Sequence, residues 1–512
     1  MEEPKTDNTA AQHPAPDWRQ RALIGAGVLA VVLAGGTWIY RALNQEPEEP
    51  EYVRLEPKEK DPVKPKNGPN KIEDLPSPKG FSHAKSKSRR PENFLDSFGK
   101  DPDPEDKGPI LSNKELQKKF EELEKAGEGY VILEERLLTA KDRKDAEKLQ
   151  EELKALGSQL EKVEIALEKD LSRARKARPT DPIPQWLTGE LLIFIRAEPE
   201  LIFPFFYRAR ENKLDNPRLW AGLAQLHFQS NHFEQALTMA TTALDQSNKD
   251  RRLWDAFRLA AVANEKFDLI SRRLDQSFGN KKPDWTADIA KEAAYLQKQW
   301  AKETKLRAAE EKANDLPRVR LFIEHRRFAV KDGQVTTKVE PSGKGEVVLE
   351  LFEDQAPIAV ANFLTLVEKK FYDGTKFFLA DPARIVAGGC PLTKNADPSD
   401  DGTGHPGYFI PDEFESHKAR GHFRGTLSMV NTGEAKTAGC QFLITLTPQP
   451  TMDGRFTVFG RVLKGQDVIE RITQGRTHPD VAPFGRIIPG DVLVRAEVIR
   501  KRDHEYKVIK VP

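Results

Sequence analysis

Between residues 149 and 167 apolar side chains recur at intervals of four and three: Leu149, Leu153, Leu156, Leu160, Val163 and Leu167. That alternation lays them along one seam of a helix. Leu116, Phe120 and Leu123 repeat the spacing earlier in the chain. The pattern predicts coiled-coil helices over 113–177, the first folding back on the second as an antiparallel hairpin. A solvated amphipathic helix with no partner is the plainer alternative.

A longer period follows. Trp186, Trp220 and Trp254 are each 34 residues apart, as are Phe233 and Phe267, and Ala209 and Ala243. In the middle copy, PRLWAGLAQLHFQSNHFEQALTMATTALDQ, Ala236 and Ala243 fall where small residues let two helices approach. This stretch resembles the tetratricopeptide family, whose repeats are helix pairs of that period. Three copies are near the minimum for a stable stack. The resemblance implies helical repeats over 181–312 with degenerate outer copies. They would form either a groove for a protein partner or a spacer that packs only on its neighbours.

Residues Ala22 to Tyr40 form a run of nineteen positions without a charge, flanked by Arg19, Arg21 and Arg41. Such a run is about long enough to cross a hydrocarbon core of roughly 30 Å. Trp38 and Tyr40 suit an interfacial belt. The expectation is a single-pass membrane helix at 22–40 after a tail at 1–21, with the bulk of the chain extracytoplasmic. A cleaved signal and a buried core helix are the alternatives, and the flanking basic residues do not decide the orientation. The stretch 41–112 is rich in Pro, Lys, Glu and Asp and reads as a disordered linker.

Composition narrows the function classes. Lys and Arg total 81 against 80 Asp and Glu, so no global field attracts nucleic acid. Two cysteines, Cys390 and Cys440, are too few for a disulfide framework or a structural zinc site. No cofactor and no metal is expected. The 512 residues, with a mean hydropathy of -0.63, call for several modules rather than one large core.

From Val319 short β-rich runs, RVRLFIEHRRF, EVVLELF, FTVFGRV and DVLVRAEVI, alternate with Gly, Pro and Asp turns. Within this region GEVVLELFEDQAPIAVANFLTLVEKKFYDGTKF, GTGHPGYFIPDEF, GTLSMVNTG, GCQFLITLTPQP and DGRFTVFGRV resemble cyclophilin-type peptidyl-prolyl isomerases in order and spacing. The resemblance implies a cyclophilin-like closed β-barrel with few helices over 316–512. The whole chain then reads as multidomain: transmembrane helix, disordered linker, all-α coiled-coil and tetratricopeptide-like region, and barrel.

The family lowers an amide rotation barrier of about 18–20 kcal/mol for an ordinary peptide bond without covalent chemistry, by binding the twisted amide better than the planar one. The resemblance implies an arginine on the prolyl nitrogen, an apolar proline pocket, and a glutamine and an asparagine holding the peptide. Aligned without a gap, the arginine position is Leu379, the preceding histidine is Phe378, the pocket phenylalanine is Arg384, the methionine is Ile385 and the glutamine is Ala387. Val430 replaces an alanine, Leu443 a phenylalanine, Met452 a leucine and Phe456 a histidine. Thr451 stands where some members carry tryptophan, while Asn431 and Gln441 match.

Ile385, Asn431, Gln441, Leu443 and Met452 are therefore the candidate substrate-binding residues. Leucine donates no hydrogen bond, so isomerase activity is expected to be weak or lost. One compensating arrangement is Arg384 reaching from the facing wall as a substitute catalytic group. The other has Arg384 fill or rim the former pocket and pair with Asp381 or solvent.

Three functions follow. The first is a cyclophilin-like protein that binds proline-containing peptides or client proteins, with a further partner on the repeats. The second is a working isomerase that assists folding. The third is a scaffold in an envelope assembly. Cys390 and Cys440 approach one rim in the family and are expected either to pair as a disulfide or to remain two free thiols.

Overall fold

The computed structural model describes residues 108–511 except 139–142, 196, 198, 332–333, 398–399, 417 and 473–489. The expected tail 1–21, the apolar run 22–40 and the linker up to residue 107 lie outside the described residues. Among the described residues no helix is long and apolar enough to cross a membrane. The expected single-pass membrane localisation is corrected accordingly. The longest helix, Arg143–Ala177, carries charged side chains throughout its length.

Eleven helices and nine strands follow among the described residues. The helices are α1 (Asn113–Leu138), α2 (Arg143–Ala177), α3 (Pro182–Phe194), α4 (Pro199–Glu211), α5 (Pro217–Gln229), α6 (Phe233–Gln246), α7 (Arg251–Ala263), α8 (Phe267–Phe278) and α9 (Thr286–Ala313), then α10 (Pro357–Glu368) and α11 (Gln466–Arg471). Strands β1 (Arg318–Lys331) and β2 (Gln334–Leu351) precede α10. After it come β3 (Thr375–Lys376), β4 (Leu379–Asp381), β5 (Ile385–Gly388), β6 (Thr426–Met429), β7 (Phe442–Thr445), β8 (Val458–Lys464) and β9 (Val492–Arg500).

Two compact units contain these elements. One comprises the described residues up to Leu226 together with Met239–Leu253. Its core joins Leu116, Phe120 and Leu123 of α1 to Leu160, Leu167 and Leu171 of α2 and to Trp186, Leu187 and Leu191 of α3. The intervals of four and three thus lead to burial along a single helix face, which is the physical basis of the periodicity. Asp181 caps α3 by accepting from the Ile183 backbone N–H at 3.1 Å, and Pro182 occupies the first helical turn. Glu190 accepts from the Trp186 indole at 2.9 Å, and burial pushes its carboxyl up to about 7.

The other unit comprises His227–Thr238 and Trp254–Pro512. Its sheet runs in the order β3-β9-β1-β2-β8-β6-β7-β5-β4. Alternate residues Val319, Leu321 and Ile323 of β1 and Val347, Leu349 and Leu351 of β2 point into one core. Phe363 of α10, Tyr372, Phe442 and Phe459 fill its centre, with ring centroids 5.1 to 5.8 Å from Phe363.

The expected closed barrel is corrected, because β3 and β4 end the sheet without pairing with each other. They are consecutive pieces of one extended chain. Between them the Phe377 N–H goes to Asp491 O at 2.9 Å, on the β9 side, and the Phe378 N–H to Ala387 O at 3.0 Å, on the β5 side. The chain itself bridges the two edges, so no ladder forms there.

Helix α9 belongs to this unit and is tied to the sheet by buried charge. The Arg420 guanidinium donates to both carboxylate oxygens of Glu303, at 3.0 and 2.6 Å, and also pairs with Glu310. It lies 3.5 Å over the Phe352 ring and is 1% exposed. Trp300 packs against Phe423 with centroids 4.9 Å apart. Burial acts to raise the Glu303 carboxyl, but the hydrogen bonds and charge of Arg420, with Arg307, outweigh it and leave the pKa lowered.

Candidate functional site

The site is built on β4, β5, β7 and the loops that flank them. Because β5 and β7 are antiparallel, with Ile385 opposite Thr445 and Ala387 opposite Leu443, alternate side chains converge on one face. Phe378, Leu379, Ile385, Ala387, Val430, Leu443, Met452 and Phe456 form an apolar cluster there. Each is 8% exposed or less, and Leu379 is 6% exposed. Three of the predicted substrate-binding residues, Ile385, Leu443 and Met452, are brought together in this cluster. Their own packing leaves little apolar surface for a ring to enter.

Arg384 lies on the tight turn between β4 and β5, where Ala383 adopts a φ of 59°. Its guanidinium donates to Asp381 at 3.1 Å. Burial raises the Asp381 carboxyl, and Arg384 opposes that shift without cancelling it. Of the two arrangements open for Arg384, the structure contains the ion pair with Asp381. Asn231 holds the same turn, accepting from the Ala383 N–H at 2.9 Å and donating to Glu470 O at 3.0 Å.

Asn431 and Gln441 line a pocket that adjoins the cluster through Val430, which belongs to both. The Asn431 side chain is engaged by its own chain, donating to Arg455 O at 2.8 Å and accepting from Gly433 N–H at 3.1 Å. Gln441 donates to Gly402 O at 2.8 Å and to Gly404 O at 2.9 Å.

The two cysteines sit behind this wall as free, buried thiols. Cys390 Sγ accepts the N–H of Gly402 at 3.2 Å and of Gly404 at 3.3 Å, and Cys440 Sγ lies 3.8 Å from Gly404 O. Burial pushes both thiols up, Cys440 far above the ordinary range. Both are thus poor nucleophiles. Gly389 beside them has a φ of 86°, and a Cβ there would stand 2.7 Å from Cys440 O. Only glycine fits that turn.

Beneath the cluster lies an arrangement not singled out from the sequence. Ser428 Oγ is 2.8 Å from His422 Nε2, and His422 Nδ1 is 2.7 Å from Asp453 Oδ1. The order resembles a nucleophile relay. Ser428 is fully buried and His422 is 2% exposed, so no substrate reaches the hydroxyl. The trio serves to satisfy buried polar groups under β6.

Comparison with known proteins places this geometry. A sequence model described as cyclophilin type peptidyl-prolyl cis-trans isomerase/CLD matches residues 335–490. A peptidyl-prolyl cis-trans isomerase of Helicobacter pylori is 38% identical over 136 residues, covering 26% of this chain and 78% of that protein. The chain belongs to the cyclophilin-type peptidyl-prolyl cis-trans isomerase family. Isomerase B of Bacillus subtilis is 38% identical over 140 residues, covering 27% of this chain and 92% of the relative. A cyclophilin-type isomerase of Cryptosporidium parvum, a solved structure, shares 22% identity with a TM-score of 0.28 over 36% of this chain and 99% of its own. The cyclophilin match therefore covers the C-terminal sheet-rich part alone. The helices before it lie outside these matches.

Proposed function

We propose that the C-terminal domain is a polypeptide-binding cyclophilin whose isomerase activity is weak or lost, with prolyl peptides and client proteins as the ligand class that family membership suggests. Leu379 carries this reading. It stands at the arginine position and is packed into an apolar cluster, so the domain lacks a donor for the prolyl nitrogen as that atom loses conjugation. The pairing of Arg384 with Asp381 supports the same view, because a guanidinium already held by a carboxylate is a poor substitute.

The helical residues 181–312 are read as a tetratricopeptide-like docking array. Helices α4, α6 and α8 begin at Pro199, Phe233 and Phe267, which suits the 34-residue period.

A proline-isomerisation assay on the full chain tests the central reading. Wild type and Arg384→Ala are both expected at the spontaneous rate of a prolyl tetrapeptide. Acceleration by wild type that disappears in Arg384→Ala would overturn the proposal and make Arg384 the catalytic donor.

A further inference from the structure

We propose that residues 502–511, which follow β9, form a strap that fixes the loop 402–410, and that the strap loosens as pH rises because one of its fastenings is the His504 imidazolium. The strap acts on a wall of the pocket and needs no ligand to operate.

Two fastenings carry this. The first lies at the turn after β2, where the strap takes both oxygens of the buried Glu353 carboxylate. His504 Nε2 pairs with Oε1, and the Tyr506 hydroxyl donates to Oε2 at 2.8 Å. Arg502 donates to the two oxygens of Asp354 at 2.6 and 3.1 Å and pairs with Asp315 at 3.0 Å. The second fastening lies at the loop. The Val511 N–H donates to Phe409 O at 2.9 Å in an antiparallel bridge, and Lys510 Nζ lies 4.2 Å from the centre of the Tyr408 ring. Between the two, Tyr506 and Val508 pack against the core, while Asp503, Glu505, Lys507 and Ile509 are exposed. A largely solvated segment of this kind opens locally more readily than the sheet beneath it.

Through Tyr408 and Phe409 the strap bears on the pocket lining, to which Gly404, His405, Phe409 and Gly439 belong. The Tyr408 hydroxyl donates to Asn362 Oδ1 at 2.9 Å, and Asn362 donates to Gly439 O at 2.7 Å. His504 is faced by Glu353 from the turn and by Arg502, Glu505 and Tyr506 from the strap itself. Lys501 is held by Glu368 of α10, and the charge of Lys418 acts on Asp354. The Glu505 carbonyl and the Glu353 carboxylate raise the His504 ring above its ordinary 6.5, with Arg502 acting against them. That fastening is therefore complete below pH 6.5 and is lost as pH rises through the raised value. Arginine does not titrate in this range, so the Arg502 pairs persist and the strap loosens rather than detaches. His405 on the loop acts in the opposite sense. Its Nδ1 accepts the Gly407 N–H at 3.1 Å, a bond that protonation breaks.

The test is amide hydrogen exchange of the full chain, read as protection factors so that the intrinsic pH dependence drops out. The reporters are Gly404 and Ile410, whose N–H groups go to Cys390 Sγ and Ala438 O, with Ile444 of β7 as reference. Between about pH 5.5 and 8.5 wild type is expected to lose about threefold or more of its protection at both reporters relative to the reference. His504→Gln, whose carboxamide donates to Glu353 at either pH, is expected to remove that difference. Val511→Pro, which deletes the N–H given to Phe409, is expected to lower protection at the reporters about tenfold at both pH values. A flat or rising wild-type ratio, or a fall that persists in His504→Gln, overturns the proposal. Unchanged protection at the reporters in Val511→Pro overturns it as well. Should Val511→Pro fail to fold, the comparison of wild type with His504→Gln decides alone.

Discussion

Leu379 and Arg384, which the resemblance reads as two substitutions at one site, are held in different ways. Leu379 faces inward and contributes to packing, whereas Arg384 sits on a turn and is neutralised by Asp381. Restoring the family arginine by Leu379→Arg would bury a guanidinium among Phe378, Leu443 and Met452. Burial of a charge without a partner is expensive. The variant is expected to lose about 2 kcal/mol or more of stability, measured by urea unfolding. Phe456→Ala, which removes a ring from the same cluster, is expected to cost about 3–5 kcal/mol by the same measurement.

At the scale of elements, helix α9 and the α5–α6 turn act as parts of the sheet-bearing unit. Asn231 sits in the left-handed region, with a φ of 58°, and its side chain spans the Ala383 N–H and Glu470 O. Asn231→Ala leaves both groups unpaired and is expected to destabilise by about 1–3 kcal/mol. Its most sensitive readout is hydrogen exchange of the Ala383 amide. Arg420 has the larger effect. Arg420→Ala leaves the Glu303 carboxylate, itself 5% exposed, with Arg307 as its remaining partner and takes the arginine from Glu310, and is expected to cost about 3–5 kcal/mol in chemical denaturation.

For the whole molecule, burial and ion pairing shift individual carboxylates in opposite directions. Glu190 is raised to about 7 by burial, above its ordinary 4.5. The stability it contributes is complete below pH 4.5 and is lost as pH rises through 7. Glu303 and Glu350 behave in the opposite way. Burial raises them, but arginine partners outweigh it and leave both lowered, so their contribution is complete above 4.5 and is lost on acidification. Full-chain melts followed by hydrogen exchange are expected to show the Glu190 unit weakening between pH 5 and 8. In the other unit the contribution of Glu303 and Glu350 is lost on acidification, whereas the carboxyls of Asp381, Glu310 and Glu413, raised by burial, lose theirs as pH rises. Glu190→Gln keeps an acceptor for the Trp186 indole and is expected to flatten the first profile.

What could be read from the sequence followed from local rules. The four-and-three spacing of Leu116, Phe120 and Leu123 reflects a face that any helix must bury, and the alternation in β1 and β2 reflects the pleat. The ordered turns from Gly345 to Val462 carried the family, and the loss of a donor at Leu379 needed no coordinates. Ile385, Leu443 and Met452 were expected to share a site with Asn431 and Gln441. Sequence order could not tell which of them pack into the apolar cluster and which line the pocket beside it. That depends on which way β5 and β7 face once paired.

Further features belong to tertiary structure, several because their partners are distant in sequence. Arg420 meets Glu303 across 117 positions, and Asn231 meets Ala383 across 152. Closure of the sheet was expected by analogy, yet the route of Phe377 and Phe378 leaves β3 and β4 unpaired with each other. The unsatisfied oxygen of Gln441 appears only when the carbonyls of Gly402 and Gly404 claim its nitrogen. Local pattern therefore determined the elements and the family. The packing of remote residues decided how the candidate site is filled.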